Sequence, residues 1–320
     1  MNTDGVVRPS AAQVSGPFGR ARRNHRRVFI IAACLVPSIL SVALLIARFQ
    51  SIHQSDVQRD ALLTARTLSQ TIDRELKTCL LVAQTLARST HLETGDLAAF
   101  DEQARMFLGD EFPGFNFVLV NGDSVQIVNT IRPLGAPLPD PGSAARVSQV
   151  FATGQPIISD VFIGGAIKRP VMSVSVPVWR QGKVVYSLAV GVLPSRLGEA
   201  LLAPHPPNER VIELLDAKGV VAARTQQSER YVGQGVSSAF VSRIQNATDG
   251  MFEMNSLDGV PVFAVFNRSI VTGWTVVIGV PTTSVLHGLL GSFGLTLLVV
   301  LMLLFTGTAL VVYLTDIEPG

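Results

Sequence analysis

The chain has 320 residues, 48% of them apolar and 16% charged, with a net charge of +2 and a mean hydropathy of +0.38. Its first 27 residues hold six arginines against one aspartate, so the remainder is slightly acidic. That balance excludes a nucleic-acid partner, which needs a basic face. Two cysteines, Cys34 and Cys79, exclude a disulfide framework.

Residues 1–19 are rich in Ser, Pro, Gly and Ala and are expected to be disordered. Val28–Ala47 then gives 20 residues without a charge, and Leu289–Leu314 gives 26 more. A helix needs about 20 apolar residues to cross the ~30 Å core of a bilayer, so both stretches predict transmembrane helices. Arg20, Arg22, Arg23, Arg26 and Arg27 precede the first span. They place the N-terminus in the cytoplasm, against anionic lipid, and residues 49–284 outside. A cleaved signal peptide would have a shorter apolar run and a small-residue cleavage site. Here the run meets Arg48 directly.

The segment from Gln50 to Ser89 has no Pro or Gly. Leu68, Ile72, Leu76, Leu80 and Ala83 recur at spacings of three and four, which predicts a long amphipathic helix with one apolar stripe. Such a spine can pack on a core and pair with a second copy of itself. A second helix is expected from Asp96, a good N-cap, to about Leu108. The period then changes to two. Phe115–Val120 and Ser124–Thr130 predict strands around the turn Asn121-Gly122. Ser143–Thr153 predicts a helix, and Val171–Val178 with Val184–Val192 a hairpin. Strand, turn, strand, helix and hairpin recur over 210–280: Arg210–Leu215, Val220–Arg224, Ser237–Asn246, then Val260–Arg268 with Trp274–Val280. Pro204-His205-Pro206-Pro207-Asn208 separates the copies.

These elements predict an α+β chain, in which a long N-terminal helix carries two PAS-like antiparallel modules between two transmembrane helices. The expected limits are 1–27 for the cytoplasmic tail and 28–48 for the first span. The spine and membrane-distal module take 49–203, and the membrane-proximal module 204–284. The second span takes 285–314 and a short cytoplasmic end 315–320. That layout resembles the double Cache domain, the exterior sensor of bacterial chemoreceptors, histidine kinases and diguanylate cyclases. The stretch from Val128-Asn129-Thr130-Ile131-Arg132 to Pro139 is similar to the first-module loop of histidine-kinase members. Ile158-Ser159-Asp160-Val161, Val174-Ser175-Val176-Pro177-Val178 and Thr272-Gly273-Trp274-Thr275-Val276 fit as well. The resemblance implies a small-molecule sensor that works as a homodimer through its spine and membrane helices. It also implies a histidine kinase output first and a diguanylate cyclase or chemoreceptor output second. No such output follows Leu314, so it is expected on further sequence or on another chain.

No cofactor, metal or catalytic set is expected. The chain has no G-x-S-x-G, H-E-x-x-H or Walker loop, although a tethered enzyme or an adhesin remains an alternative to a sensor. The polar residues that interrupt apolar strands are the expected ligand contacts. Asn116, Asn129, Ser173, Ser175 and Ser187 would line a cavity floor, and Arg132, Lys168 and Arg169 would meet an anion. Whether the rows of small residues in the two hairpin strands share a face depends on register. Amino-acid-binding double Cache domains carry a Tyr, Arg and Trp constellation before the first hairpin. This chain has only Arg105 there, so a small carboxylate or another polar metabolite is expected. The second module is expected to be filled, because Val260–Phe266 carries bulky residues on both faces.

Overall fold

The structure is a computed structural model that describes residues 58–140, 142, 144–202, 210–282, 301, 302, 304, 305 and 307–309. The chain divides into two units, Asp56–Val285 and the terminal segments Met1–Ser55 with Leu286–Gly320. In the terminal unit the described residues, all between 301 and 309, are helical. Among the described residues no helix is long and apolar enough to cross a membrane. The first expected span, most of the second, both tails and the linker 204–208 lie outside the described residues.

Residues 58–86 form the spine, α1. Ala61, Ala65, Leu68, Ile72, Leu76, Cys79, Ala83 and Leu86 follow one another at three and four residues and are all buried. That stripe is longer than the one read from the larger side chains alone, because alanines continue it at the near end. On the other side Thr64, Thr67, Thr71, Thr78 and Thr85 return their hydroxyls to the carbonyl four residues back. This satisfies polar groups that would otherwise compete with the helix. Ser89 caps α2 (Thr90–Thr94), and Asp96 accepts from the amide of Ala99 to cap α3 (Leu97–Arg105).

The first sheet contains β1 (Gly114–Asn121), β2 (Gln126–Asn129), β3 (Ile157–Ile158), β4 (Phe162–Ile163), β5 (Pro170–Arg180) and β6 (Lys183–Val192). Its order is β2-β1-β6-β5-β3, with β4 also on β5. All pairs are antiparallel, and α4 (Ala144–Thr153) lies between β2 and β3 in sequence. Turn chemistry separates the two hairpins. Gln181 and Gly182 both have positive φ (46° and 75°), as a two-residue turn matching strand twist requires. The turn at Asn121-Gly122 differs from the expected tight one. The Asn121 side-chain oxygen accepts from the amides of Asp123 (3.1 Å) and Val125 (2.9 Å), and the left-handed residue is Ser124. The side chain thus builds a wider loop than the dipeptide suggests.

Helix α5 (Pro194–Leu202) starts on a proline, a favoured first helical residue. The second sheet follows: β7 (Val211–Leu215), β8 (Val221–Arg224), β9 (Asp249–Asn255), β10 (Pro261–Arg268) and β11 (Thr275–Pro281), ordered β8-β7-β11-β10-β9. Helices α6 (Ser228–Tyr231) and α7 (Ser238–Gln245) complete it. One apolar core runs along α1 through both sheets, from Phe117, Leu119, Val174 and Leu188 to Ile212, Trp274 and Ile278. A second cluster packs Leu215, Ala264, Phe266 and Val277 against Phe240 and Ile244 of α7. The spine is also pinned by polar contacts. Asp73 accepts from the hydroxyls of Ser269 (2.9 Å) and Thr272 (3.4 Å), and Asp60 pairs with Arg210.

Candidate functional site

The site is built by strand register. Ser173 faces Gly191 and Ser175 faces Ala189 across β5–β6. Asn116 faces Gly191, Val118 faces Ala189 and Val120 faces Ser187 across β1–β6. Asn129 faces Val118 across β1–β2. All the small residues therefore share the face turned away from the spine, while Phe117, Leu119, Val174, Val176, Leu188 and Val190 share the other. A floor of Ser, Ala and Gly with bulky residues behind it leaves space above the sheet.

That space is a cavity of about 80 Å³. A water-sized group occupies about 10–15 Å³ on this measure, so there is room for roughly five to eight of them. Val147 of α4, Phe162 of β4 and the β4–β5 loop from Gly164 to Ile167 form its walls. The loop sits close because Gly165 has no side chain; a Cβ there would lie 2.1 Å from the Asp140 carbonyl oxygen.

Two polar systems face the cavity. The first is a chain of amides. Asn116 Nδ2 donates to Asn129 Oδ1 (3.1 Å), and Asn129 Nδ2 donates to Gln126 Oε1 (3.0 Å). Asn116 is only 4% exposed, and its Oδ1 is buried with no hydrogen-bond partner among the described residues. An unpaired buried acceptor is costly, and a ligand N–H or O–H would satisfy it. The second is Arg146, on the cavity wall with its guanidinium 3.4 Å from the Phe162 ring centroid. Burial lowers its pKa to about 10, against the opposing pull of Asp160. It remains a cation at neutral pH.

Five of the eight expected contacts, Asn116, Asn129, Ser173, Ser175 and Ser187, line this cavity. Arg132, Lys168 and Arg169 are exposed and do not line it. The Arg132 carbonyl accepts from Arg105 Nη2 (2.8 Å), and Lys168 holds a left-handed turn with φ of 55°. Arg146 is the cation that sequence reasoning missed. Its signal was its place on the shoulder of the α4 face made by Val147 and Val150. Among the described residues no cluster of three or more His, Cys, Asp or Glu could hold a metal ion.

The cavity wall also touches the second module. The amide of Val161, next to Phe162, donates to Asp216 Oδ2 (3.0 Å), and Lys218 pairs with Asp160 (3.1 Å). Asp216 is buried at 1% exposure and also receives the amides of Lys218 and Val220. Burial pushes its pKa up, and these amide bonds hold it down. The second module is not filled as expected. A groove of about 310 Å³ is lined by Glu213, Ser237, Phe240, Val262 and Ala264, between the start of α7 and the sheet.

Solved structures decide the fold. A methyl-accepting chemotaxis protein X superposes with a TM-score of 0.60 at 17% identity, covering 71% of this chain and 98% of that one. The ligand-binding domain of Mlp24 with asparagine gives 0.56 at 15%, covering 75% and 98%. The fold is double Cache. The V. cholerae histidine kinase DctB sensor domain agrees, with a TM-score of 0.53 at 11% identity over 71% of this chain and 98% of that one. At these identities the likeness concerns the fold alone. No protein-family model matches the sequence, and no curated protein matches it. In double Cache terms the cavity belongs to the first module, and the bond from Val161 to Asp216 joins the first module to the second.

Proposed function

We propose that this chain is the extracytoplasmic sensor region of a bacterial transmembrane receptor, and that it binds a small polar or anionic metabolite in the first-module cavity. The observation that carries the reading is the unpaired Asn116 Oδ1 in a partly apolar cavity that the half-buried Arg146 also lines. That combination suits a ligand with a hydrogen-bond donor at one end and a carboxylate at the other. The ligand-binding domain of Mlp24 is solved with asparagine, which carries a donor and a carboxylate of that kind. Arg132, Lys168 and Arg169 would act as an outer basic rim that draws anions in rather than as direct contacts. Closure of α4 and β4 on the ligand would move the segment that Asp216 holds, and so the second module. The residues 28–48 and 285–314 would be the two spans, with the N-terminus cytoplasmic and two copies pairing along α1. The output, by preference a histidine kinase, would lie beyond this sensor; the sensor itself would not be an enzyme.

The test is a thermal-shift screen of polar metabolites on the purified chain, followed by calorimetry on each hit. A ligand present at a hundred times its Kd should add about 2.7 kcal/mol of stability. Asn116→Ala should weaken it about 2- to 13-fold, one neutral hydrogen bond. Arg146→Met should weaken an anionic ligand about 10- to 150-fold. Unchanged affinity in both variants, with loss in Ser237→Ala or Glu213→Gln, would move the site to the second-module groove and refute the assignment.

A further inference from the structure

A second cleft lies where the end of α1 meets α2, the turn after α4 and the end of β5. It measures about 310 Å³ and shares no lining residue with the cavity above. Its walls include Gln84, Arg88, Leu92, Gly154, Trp179 and Arg180.

Arg180 is the informative residue. Its Nε and Nη2 are buried and have no hydrogen-bond partner among the described residues. Its ring contact, with Tyr186 at 5.6 Å, supplies no oxygen acceptor. Two buried, unpaired donors on a guanidinium are an uncompensated cost. Nε–H and Nη2–H are also the parallel pair on one edge of the guanidinium. That edge matches the two oxygens of a carboxylate or a phosphate. A bound water could accept from one donor but would bring no charge.

The surroundings fit the same ligand. The Arg88 side chain is exposed at the cleft and makes no ion pair among the described residues. Glu93, also exposed, is the one acidic residue in the lining, so the cations lead by two to one. Trp179 is 53% exposed. Its indole lies against Gly154, where a Cβ would come within 2.7 Å of the ring. The glycine leaves the indole flat at the cleft, as an apolar surface for the body of an organic anion.

We propose that this cleft is a second binding site, for a small oxyanion gripped by the Nε–Nη2 edge of Arg180, with Arg88 at its mouth and Trp179 against its body. The site stands independently of the first-module cavity and of the ligand proposed for it.

The probes are benzoate and inorganic phosphate, titrated into the full chain at constant ionic strength, with chloride and the neutral isostere benzamide as controls. Trp179 and Trp274 are the two tryptophans, and Trp274 is buried in the second module. Emission from Trp179 therefore reports the cleft. The expected result is a saturable emission change with benzoate, phosphate or both, and none with benzamide or chloride. Arg180→Met should weaken the response about tenfold or more, with a melting midpoint in anion-free buffer no lower than that of the parent chain. Arg88→Ala, a change at an exposed position, should weaken the response while leaving the fold intact, and serves if Arg180→Met does not fold. No saturable response to either anion, an equal response to benzamide, or an unchanged response in Arg88→Ala and Arg180→Met would overturn the site. Loss of the response in Asn116→Ala would place the anion in the first cavity and overturn it too.

Discussion

Gly191→Ala tests the geometry on which the first cavity depends. The position needs no special backbone, so the effect comes from the added methyl alone. Its Cβ would lie 2.1 Å from Asn116 Oδ1 and 2.8 Å from Phe115 Cε1. Contacts that short cannot persist, and the buried Asn116 carboxamide must leave its place over the strand. It then loses its 3.1 Å bond to Asn129, worth about 0.5–1.5 kcal/mol. Crowding around Phe115 adds about 1–3 kcal/mol. A total loss of about 1.5–4.5 kcal/mol is expected. Asn116→Ala alone removes the hydrogen bond but leaves Asn129 Oδ1 accepting from the amide of Ile131 (3.4 Å), so it should cost about 1 kcal/mol. In the double variant the clash with Oδ1 is absent. The two changes should then fall short of additivity by about 1 kcal/mol or more. Urea unfolding of the four proteins, followed by circular dichroism, closes the cycle. Additivity within about 0.5 kcal/mol would mean that the two residues do not touch, and the described floor of the cavity would be wrong.

The second module offers a test of a buried charge group. The Arg224 side chain is 0% exposed; it donates to Glu213 (2.8 Å), pairs with Asp258 and stacks 4.3 Å from the Tyr231 ring. Arg224→Met strands both carboxylates and should cost about 3–5 kcal/mol near pH 7. Burial raises the Glu213 pKa and Arg224 partly offsets this, so the variant raises it further. A raised carboxyl favours the fold below its unfolded value, about 4.3, and that advantage is lost as pH rises through the folded value. The deficit of Arg224→Met should therefore shrink from about pH 7.5 to about pH 5. A deficit that grows on acidification would refute the assignment. For topology, cysteine placed at Asn121 or Lys218 in a cysteine-free background should react with an impermeant maleimide on spheroplasts, and cysteine at Ser10 should not. The reverse pattern would overturn the orientation read from the arginines.

Much of the fold is written locally. The stripe on α1, the caps at Ser89 and Asp96, and the hairpin at Gln181-Gly182 each depend on neighbours within about four residues. The alternation of Ser173 and Ser175 with Val174 and Val176 likewise announces one small face and one bulky face. Edge elements were less legible. Strand β9 carries Asp249-Gly250 and Glu253, which read as turn and surface, and it is a strand because β10 supplies its hydrogen bonds. β3 and β4 are two residues each, too short to show a period. Tertiary structure decided the cavity. A slip of one residue between β5 and β6 would have turned Ser175 toward the spine, and only the pairing of Ser173 with Gly191 puts both small rows above the sheet. It also chose the cation. Arg132, Lys168 and Arg169 stand out in sequence as loop charges and lie outside the cavity. Arg146 looks ordinary in its helix but faces Phe162 across the packed layer, and Arg180 closes a hairpin yet ends with two donors buried. A side chain's neighbours along the chain fix its local conformation. Its neighbours across the fold fix its charge, its partners and its access to a ligand, and no spacing in the sequence encodes those distances.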